Sequence, residues 1–275
     1  MGTPMASFAL NHIIAPGLDL ERFFALAKSL SIQDVEIRNV IEHRPTLDGT
    51  PPETVKGLAE KAGVTILSIN ALQRFNDWND MRAQEANALA DYAEKCGARM
   101  LVLVPVNDGT GRANGERQGN LRNALKELAP ILKKHGLIGL VEPLGFEICS
   151  LRSKKEAVEA INAVHHADCF KIVHDTFHHF LASEPDLFPQ QTGIVHISGV
   201  TDANIGSSSM LDAHRVLVDE ADRLGNLGQI STLLTSGYEG PLSFEPFATT
   251  VQNDPNLPSS IEASIHFINR HLPAE

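Results

Sequence analysis

The sequence predicts one α/β domain over residues 1–275, a closed (β/α)8 TIM barrel. Short apolar segments alternate with longer amphipathic ones along the chain. The junction between a helix and the next strand recurs roughly every 35 to 40 residues, and the chain of 275 residues is close to the roughly 250 typical of this barrel. A doubly wound open sheet is the alternative, but no GxGxxG motif follows the first strand.

Eight segments are predicted to be strands that are buried on both faces. They are rich in Val, Ile and Leu and contain few polar residues, as parallel strands covered by helices require. The predicted strands are Phe8–Ile14, Asp34–Arg38, Thr65–Leu72, Met100–Val106, Ile138–Glu142, Lys171–Asp175, Ile194–Ser198 and Leu242–Phe247.

The segments between the strands carry helical signals. Apolar residues recur at helical spacing in Met81–Cys96 and in Leu121–His135. Thr50 precedes two prolines and is predicted to cap a helix. Ser153 is followed three residues later by Glu156, which predicts a capping box.

Glycines mark the ends of several predicted helices. Gly63, Gly97 and Gly136 each follow a lysine by two positions and directly precede a strand, as helix C-caps do. The longest irregular stretches, Asn107–Gly119 and Thr201–Met210, both follow strands. We therefore expect these stretches to be loops over the C-terminal face of the barrel, where active sites of this fold lie.

The overall composition narrows the classes of function. Acidic residues number 34 and basic residues 23, giving a net charge of −11, which argues against a nucleic acid or an anionic membrane as a partner. Cys96, Cys149 and Cys169 form no CxxC pair and no disulfide framework, which indicates buried free thiols in a reducing compartment. Met1–Ala9 lacks the basic and apolar regions of a signal peptide, so we expect a cytoplasmic protein.

Ionisable residues stand at the C-terminal ends of four otherwise apolar strands: Glu142, Asp175, His196 and Glu245. A buried carboxylate needs a counter-charge, and three carboxylates on one rim repel each other unless a cation lies between them. This mixed set of oxygen and nitrogen donors suits Mn²⁺, Zn²⁺, Co²⁺ or Mg²⁺. For any single carboxylate, a helix N-cap or an ion pair is the alternative.

Further side chains are candidates for binding a substrate. His178 follows the strand that ends at Asp175, whereas His174 is predicted to point outward and pack against helices. Glu36, on the second strand, is expected either to bind substrate or to pair with a basic residue. Phe75 and Trp78 follow the third strand and are predicted to wall a polyol pocket, or else only to cover the barrel end.

The ordered set of Glu142, Asp175-Thr176-Phe177-His178, His196 and Glu245 resembles the xylose isomerase-like TIM-barrel superfamily of sugar isomerases and epimerases. Within it, the chain resembles the inosose isomerases, also called 2-keto-myo-inositol isomerases, from about residue 8 to about residue 270. The segments that carry this narrower similarity are Val35-Glu36-Ile37-Arg38, Ile69-Asn70-Ala71-Leu72 with Phe75-Asn76, Val104-Pro105, Asp175-Thr176-Phe177-His178, His196-Ile197, and Thr201-Asp202 with Ile205-Gly206.

The resemblance implies one divalent metal ion held by the four strand-end residues. It also implies that Glu142 and Glu245 exchange protons with the substrate and that His178 binds it. In related isomerases an arginine after the strand-seven histidine contacts the substrate or a neighbour of the metal. Arg215 and Arg223 are both candidates here, and Arg215 is favoured.

The implied activity is a metal-dependent isomerisation of a cyclic keto-polyol in inositol catabolism. It would convert 2-keto-myo-inositol to 1-keto-D-chiro-inositol by proton transfer through a metal-stabilised cis-enediolate. The alternatives are a ketose 3-epimerase, a hydroxypyruvate isomerase, an inosose dehydratase, or a non-catalytic metal- or sugar-binding protein. The expected partner is a small keto-polyol or ketose, and the sequence leaves a homo-oligomer open.

Overall fold

Eight parallel strands pair in chain order and close into a barrel, because the eighth strand pairs with the first. The computed structural model describes residues 6–39, 41 and 49–272. The segment Met1–Ala9, for which the sequence predicts no signal peptide, lies partly outside the described residues. The (β/α)8 prediction is confirmed. The strands are β1 Phe8–Asn11, β2 Asp34–Arg38, β3 Thr65–Gln73, β4 Met100–Val104, β5 Ile138–Val141, β6 Phe170–Asp175, β7 Thr192–Ile197 and β8 Leu242–Phe244.

Helices cover the outside of the barrel between consecutive strands. Within the described residues, the α-helices are α1 Leu20–Ser29, α2 Pro52–Ala62, α3 Asp80–Cys96, α4 Glu116–Lys134, α5 Lys154–Asn162, α6 Thr176–Ala182, α7 Asn226–Thr235, α8 Thr249–Gln252 and α9 Leu257–His271. In the same part of the chain, no helix combines the length and the apolar character needed to cross a membrane.

Several predicted strand ends are wrong by one to three residues. Two boundaries differ for a clear local reason. The first strand ends at Asn11 rather than Ile14, because the Asn11 side chain accepts a hydrogen bond from the backbone of Ile13 and caps a 3-10 turn. The helix cap is Pro51 rather than Thr50, and α2 begins at Pro52. A residue that precedes proline is pushed out of the helical region, so Pro51 takes the extended backbone of a cap, with a ψ of 135°.

Other predicted helix caps are confirmed, one of them only in part. The Ser153 hydroxyl accepts the backbone N–H of Glu156 and caps α5, as predicted. The carboxylate of Glu156 binds Arg117 instead of completing the capping box. Gly63 and Gly97 take the left-handed backbone of C-caps, with φ of 73° and 85°.

The barrel interior is layered because alternate side chains of each strand point inward. Ala9, Leu67, Val102, Leu140, Ala71, Val173 and Ile194 form an inner apolar cluster that is separate from the larger core between sheet and helices. Two positions after the cluster residues of β1, β5, β6 and β7, the inward residues are the buried polar Asn11, Glu142, Asp175 and His196, whereas β4 continues with Val104. The three cysteines are buried and free, as predicted.

Candidate metal centre

Glu142, Asp175, His196 and Glu245 converge at the C-terminal rim. All four are buried, and one potential donor atom from each lies within 4.8 Å of the others. The strand register produces this convergence. Asp175 and His196 are direct partners across β6 and β7, while Glu142 and Glu245 come one residue after the ends of β5 and β8.

The His196 ring bridges the acidic groups. Its Nδ1 lies 3.1 Å from Glu142 Oε1 and 3.2 Å from Glu245 Oε2, and its Nε2 lies 3.1 Å from Glu36 Oε1. Burial disfavours the charged imidazolium, but the carboxylates of Glu245 and Glu36 outweigh it and hold the pKa of His196 well above its ordinary value. Burial also raises the pKa of Glu142.

Two arginines also pair with the carboxylates of this site. Arg215 Nη2 lies 2.6 Å from Asp175 Oδ2 and 3.0 Å from Glu245 Oε2, and Arg38 Nη1 lies 3.0 Å from Glu245 Oε1. Burial opposes ionisation of Glu245, yet His196 and the arginines hold its pKa well below the ordinary value. Arg38, Arg215 and His196 therefore offset much of the negative charge of the surrounding carboxylates.

Asp175 has two structural roles at once. Its Oδ1 accepts the backbone N–H of His178 at 2.8 Å and caps α6, while its Oδ2 faces Arg215. Both alternatives to the ligand interpretation, the N-cap and the ion pair, therefore apply to this carboxylate. Each carboxylate oxygen has two lone pairs, so these contacts leave room for a cation as a further partner.

The donor chemistry fits a divalent cation. Three carboxylates and one imidazole offer oxygen and nitrogen donors without a thiolate, the combination that suits Mn²⁺, Co²⁺, Zn²⁺ or Mg²⁺. The imidazole presents Nδ1 to two of the carboxylates, so its lone pair can face the same point as their oxygens.

A cavity of about 330 Å³ opens above this group. Glu142, Glu245, His178 and Arg215 all line it, so the structure brings two predicted substrate-binding residues to the metal centre. His178 is buried, and its Nδ1 has no hydrogen-bond partner among the described residues. That nitrogen is therefore available to a molecule in the cavity.

Phe75 and Trp78 do not lie on the cavity wall formed by the described residues. Phe75 is fully buried in the core between sheet and helices, and Trp78 packs against that core. A large aromatic ring gains most free energy when it is removed completely from water, which explains this placement. The aromatic part of the wall comes instead from Phe146 and Phe247.

Glu36 lies below the cavity rather than in its described wall. It is fully buried and pairs with His196, so of the two interpretations the structure supports pairing with a basic residue. Arg223 also stays away from the site and donates to the backbone carbonyls of Asp202 and Ile205.

His174 points away from the barrel interior, as predicted. Its Nδ1 lies 3.1 Å from Lys154 Nζ, and its Nε2 lies 2.9 Å from Gln229 Oε1, so it packs between helices.

The sequence interpretation missed Arg38, Asn11 and Ser243 as parts of the site. Arg38 and Asn11 both bind Glu245, and Ser243 binds Glu36. A signal was available, because Arg38 follows Glu36 by two positions and Ser243 precedes Glu245 by two. Residues with that spacing in a strand face the same side.

The xylose isomerase-like TIM barrel family model matches residues 24–271. The chain therefore belongs to the xylose isomerase-like TIM barrel family.

Individual proteins are similar over nearly the whole chain. An inosose isomerase from Halalkalibacterium halodurans is 24% identical over 254 residues, which cover 88% of each chain. A xylose isomerase domain containing protein from Salmonella typhimurium LT2 is 34% identical, with a TM-score of 0.85 over 98% of this chain and 97% of that one. The IolI protein, solved with a binding zinc atom, shares the fold at 19% identity, with a TM-score of 0.83 over 98% and 100% of the two chains.

Proposed function

We propose that the protein is a divalent-metal-dependent isomerase that converts 2-keto-myo-inositol to 1-keto-D-chiro-inositol. One observation carries the proposal: two glutamates of the buried four-residue group, Glu142 and Glu245, face the same cavity. Similarity to an inosose isomerase and to a zinc-binding protein of the same fold supports the choice of substrate and ion.

The four strand-end residues would hold the ion. A bound divalent ion supplies Lewis-acid stabilisation of negative charge on oxygen when a carbon-bound proton leaves. Glu142 follows β5 and Glu245 follows β8, with two strands between them, so the two carboxylates reach the cavity from different positions on its rim. One would take the proton from carbon, and the other would return a proton to the neighbouring carbon. His178 and Arg215 orient the polyol through hydrogen bonds from the cavity wall.

Proton NMR in D₂O with 2-keto-myo-inositol tests the proposal. The zinc-loaded protein is compared with the same protein stripped of metal. We expect zinc-dependent deuterium uptake beside the ketone together with signals of a second keto-inositol. Deuterium uptake without a second keto-inositol would indicate instead an epimerase that acts on a related ketose. Loss of a hydroxyl group from the substrate would indicate a dehydratase. No uptake with Zn²⁺, Mn²⁺, Co²⁺ or Mg²⁺ would overturn the proposal.

Four further expectations remain predictions from the sequence. The protein is expected to act in the cytoplasm and in inositol catabolism. Its partner is expected to be a small keto-polyol or ketose, not a nucleic acid or a membrane, and a homo-oligomer is left open.

A further inference from the structure

Glu36 is enclosed inside the barrel. Its side chain is fully buried. Ser68 Oγ donates to its Oε2 at 2.6 Å, Asn70 Nδ2 donates to the same oxygen at 3.0 Å, and Ser243 Oγ donates to its Oε1 at 2.5 Å. All these partners are donors, so the carboxylate acts as an acceptor toward every neighbour described here.

Asn11 Nδ2 also donates to Oε1, at 3.5 Å, and Glu36 contacts the imidazole of His196 as well. Glu36 Oε1 lies 3.1 Å from Nε2, on the opposite side of the ring from Glu142 and Glu245, which face Nδ1. A neutral imidazole carries one N–H and one lone pair, and the partner of one nitrogen decides which is which. Carboxylates face both ring nitrogens, and together they favour the doubly protonated ring. A cation held by the four strand-end residues would take the place of the proton on Nδ1, because a metal ligand has to be deprotonated. Glu36, which only accepts, would then keep the N–H on Nε2.

We propose that Glu36 is a positioning residue that fixes the Nε2–H tautomer of His196, so that Nδ1 is presented as a metal ligand. The inference rests on the metal centre of the proposed function, but it does not depend on the substrate. Glu36 is not a catalytic residue here, because it contacts neither the cavity described above nor a reacting atom.

Zinc affinity measured without substrate tests this role. In Glu36→Gln the new amide can donate to Nε2 and stabilise the wrong tautomer. We expect the zinc dissociation constant to rise about 10- to 100-fold, the usual effect of losing such an outer carboxylate. Titration calorimetry against a competing chelator measures the constant, and thermal unfolding of the metal-free variant checks that it is folded.

Ser68→Ala is the matched control. It removes one donor to the same carboxylate but keeps the charge and the contact with His196. We expect its zinc dissociation constant to stay within about 3-fold of the wild-type value, below the effect of losing an outer carboxylate. A merely structural role of Glu36 predicts the opposite pattern: both variants lower the melting temperature and neither changes the zinc affinity of the folded protein.

The wild-type protein supplies a second test that needs no variant. Nitrogen-15 NMR of histidine-labelled, zinc-loaded protein reports which ring nitrogen of His196 carries the proton. The proposal requires the proton on Nε2 and the metal on Nδ1. Metal on Nε2, or unchanged zinc affinity in folded Glu36→Gln, would overturn it. Neither result bears on the substrate, and an inactive protein that passes both tests would refute only the proposed reaction.

Discussion

Arg215 and Asp175 form a fully buried ion pair in which Nη2 of the guanidinium lies 2.6 Å from Oδ2 of the carboxylate. The same nitrogen lies 3.0 Å from Glu245 Oε2, so one donor bridges two of the four candidate metal ligands. Burial disfavours the charged guanidinium, but Asp175 and Glu245 outweigh it and raise the pKa of Arg215. Arg215 therefore links two carboxylates that would otherwise repel each other.

Arg215→Met should make the metal-free protein unstable and the effect of metal larger. Removing one partner of a buried ion pair costs about 3–5 kcal/mol, because the other charge stays buried without compensation. In this variant, bound zinc would supply the positive charge that Asp175 and Glu245 no longer receive from the arginine. We expect a lower melting temperature without zinc and a larger rise on adding zinc than in the wild type, both measurable by calorimetry.

Arg223→Met is the control for this prediction. Its guanidinium binds backbone carbonyls at the loop rather than the carboxylates of the site. The rise in melting temperature with zinc should match the wild type. If Arg215→Met showed the same rise as Arg223→Met, the bridging arginine would have no part in balancing the charge of these carboxylates.

Glu245→Gln should slow proton transfer to and from the substrate strongly. Losing a positioned acid or base typically costs about 10²- to 10⁴-fold in rate, and the amide cannot take up a proton. Deuterium uptake by 2-keto-myo-inositol at saturating zinc measures the effect, with bound zinc determined on the same sample. Glu239→Gln is the control, since this exposed glutamate precedes β8 at the other end of the barrel. Full turnover by Glu245→Gln with zinc bound would remove Glu245 from the acid–base pair.

Gly145→Ala should disturb the helix that carries His178. An added Cβ at Gly145 would overlap the His178 carbonyl oxygen and lie 2.5 Å from the Leu181 Cβ, so α6 has to move. Overpacking of this kind costs about 1–3 kcal/mol of unfolding free energy. We also expect weaker substrate binding, seen as a higher KM.

Gly57→Ala is the matched control for Gly145→Ala. Gly57 lies inside α2, and apart from its neighbours and the backbone of its own helix no described atom lies within 4 Å of its added Cβ. Alanine there should stabilise the helix by about 0.5–1 kcal/mol and leave KM unchanged. A Gly145→Ala protein as stable and as active as Gly57→Ala would show that α6 can shift at little cost.

The barrel and its four rim residues were predictable because each signal is local to one strand. Glu142, Asp175, His196 and Glu245 interrupt or end apolar segments, and that pattern is visible without knowing which strands are neighbours. The partners of these residues were not predictable in the same way. Arg38 reaches Glu245 from a strand that does not pair with β8 in the described barrel, so the contact depends on how the closed barrel brings distant strands together.

The aromatic residues illustrate a different limit. Phe75 follows a strand toward the rim, as a residue of a pocket wall does, but sequence position does not show which way the ring turns. The ring is buried in the core, while Phe247 lies at the cavity with its ring 4.7 Å from the Arg215 guanidinium carbon. Both placements depend on packing between elements far apart in the chain.

Lys154 should make the stability of the protein depend on pH above neutrality. Its ammonium group is buried beside His174 and His179, and burial lowers its pKa from 10.5 to about 8. Between pH 8 and 10.5 the unfolded chain therefore binds more protons than the folded protein. The free energy of unfolding should rise with pH across this window, by about 3 kcal/mol in total, and stay at its lower level below pH 8.

Urea unfolding from pH 7 to pH 10.5 measures this rise, and a pair of variants assigns it. Lys154→Met removes the buried ammonium group, so its unfolding free energy should lack the rise that Lys154 contributes. Lys155→Met changes the next residue, which is exposed, and should keep it. Taking the difference between the two variants cancels the other groups that titrate in alkaline solution. Parallel pH curves for Lys154→Met and Lys155→Met would mean that Lys154 gains enough from its two histidine partners to keep an ordinary pKa.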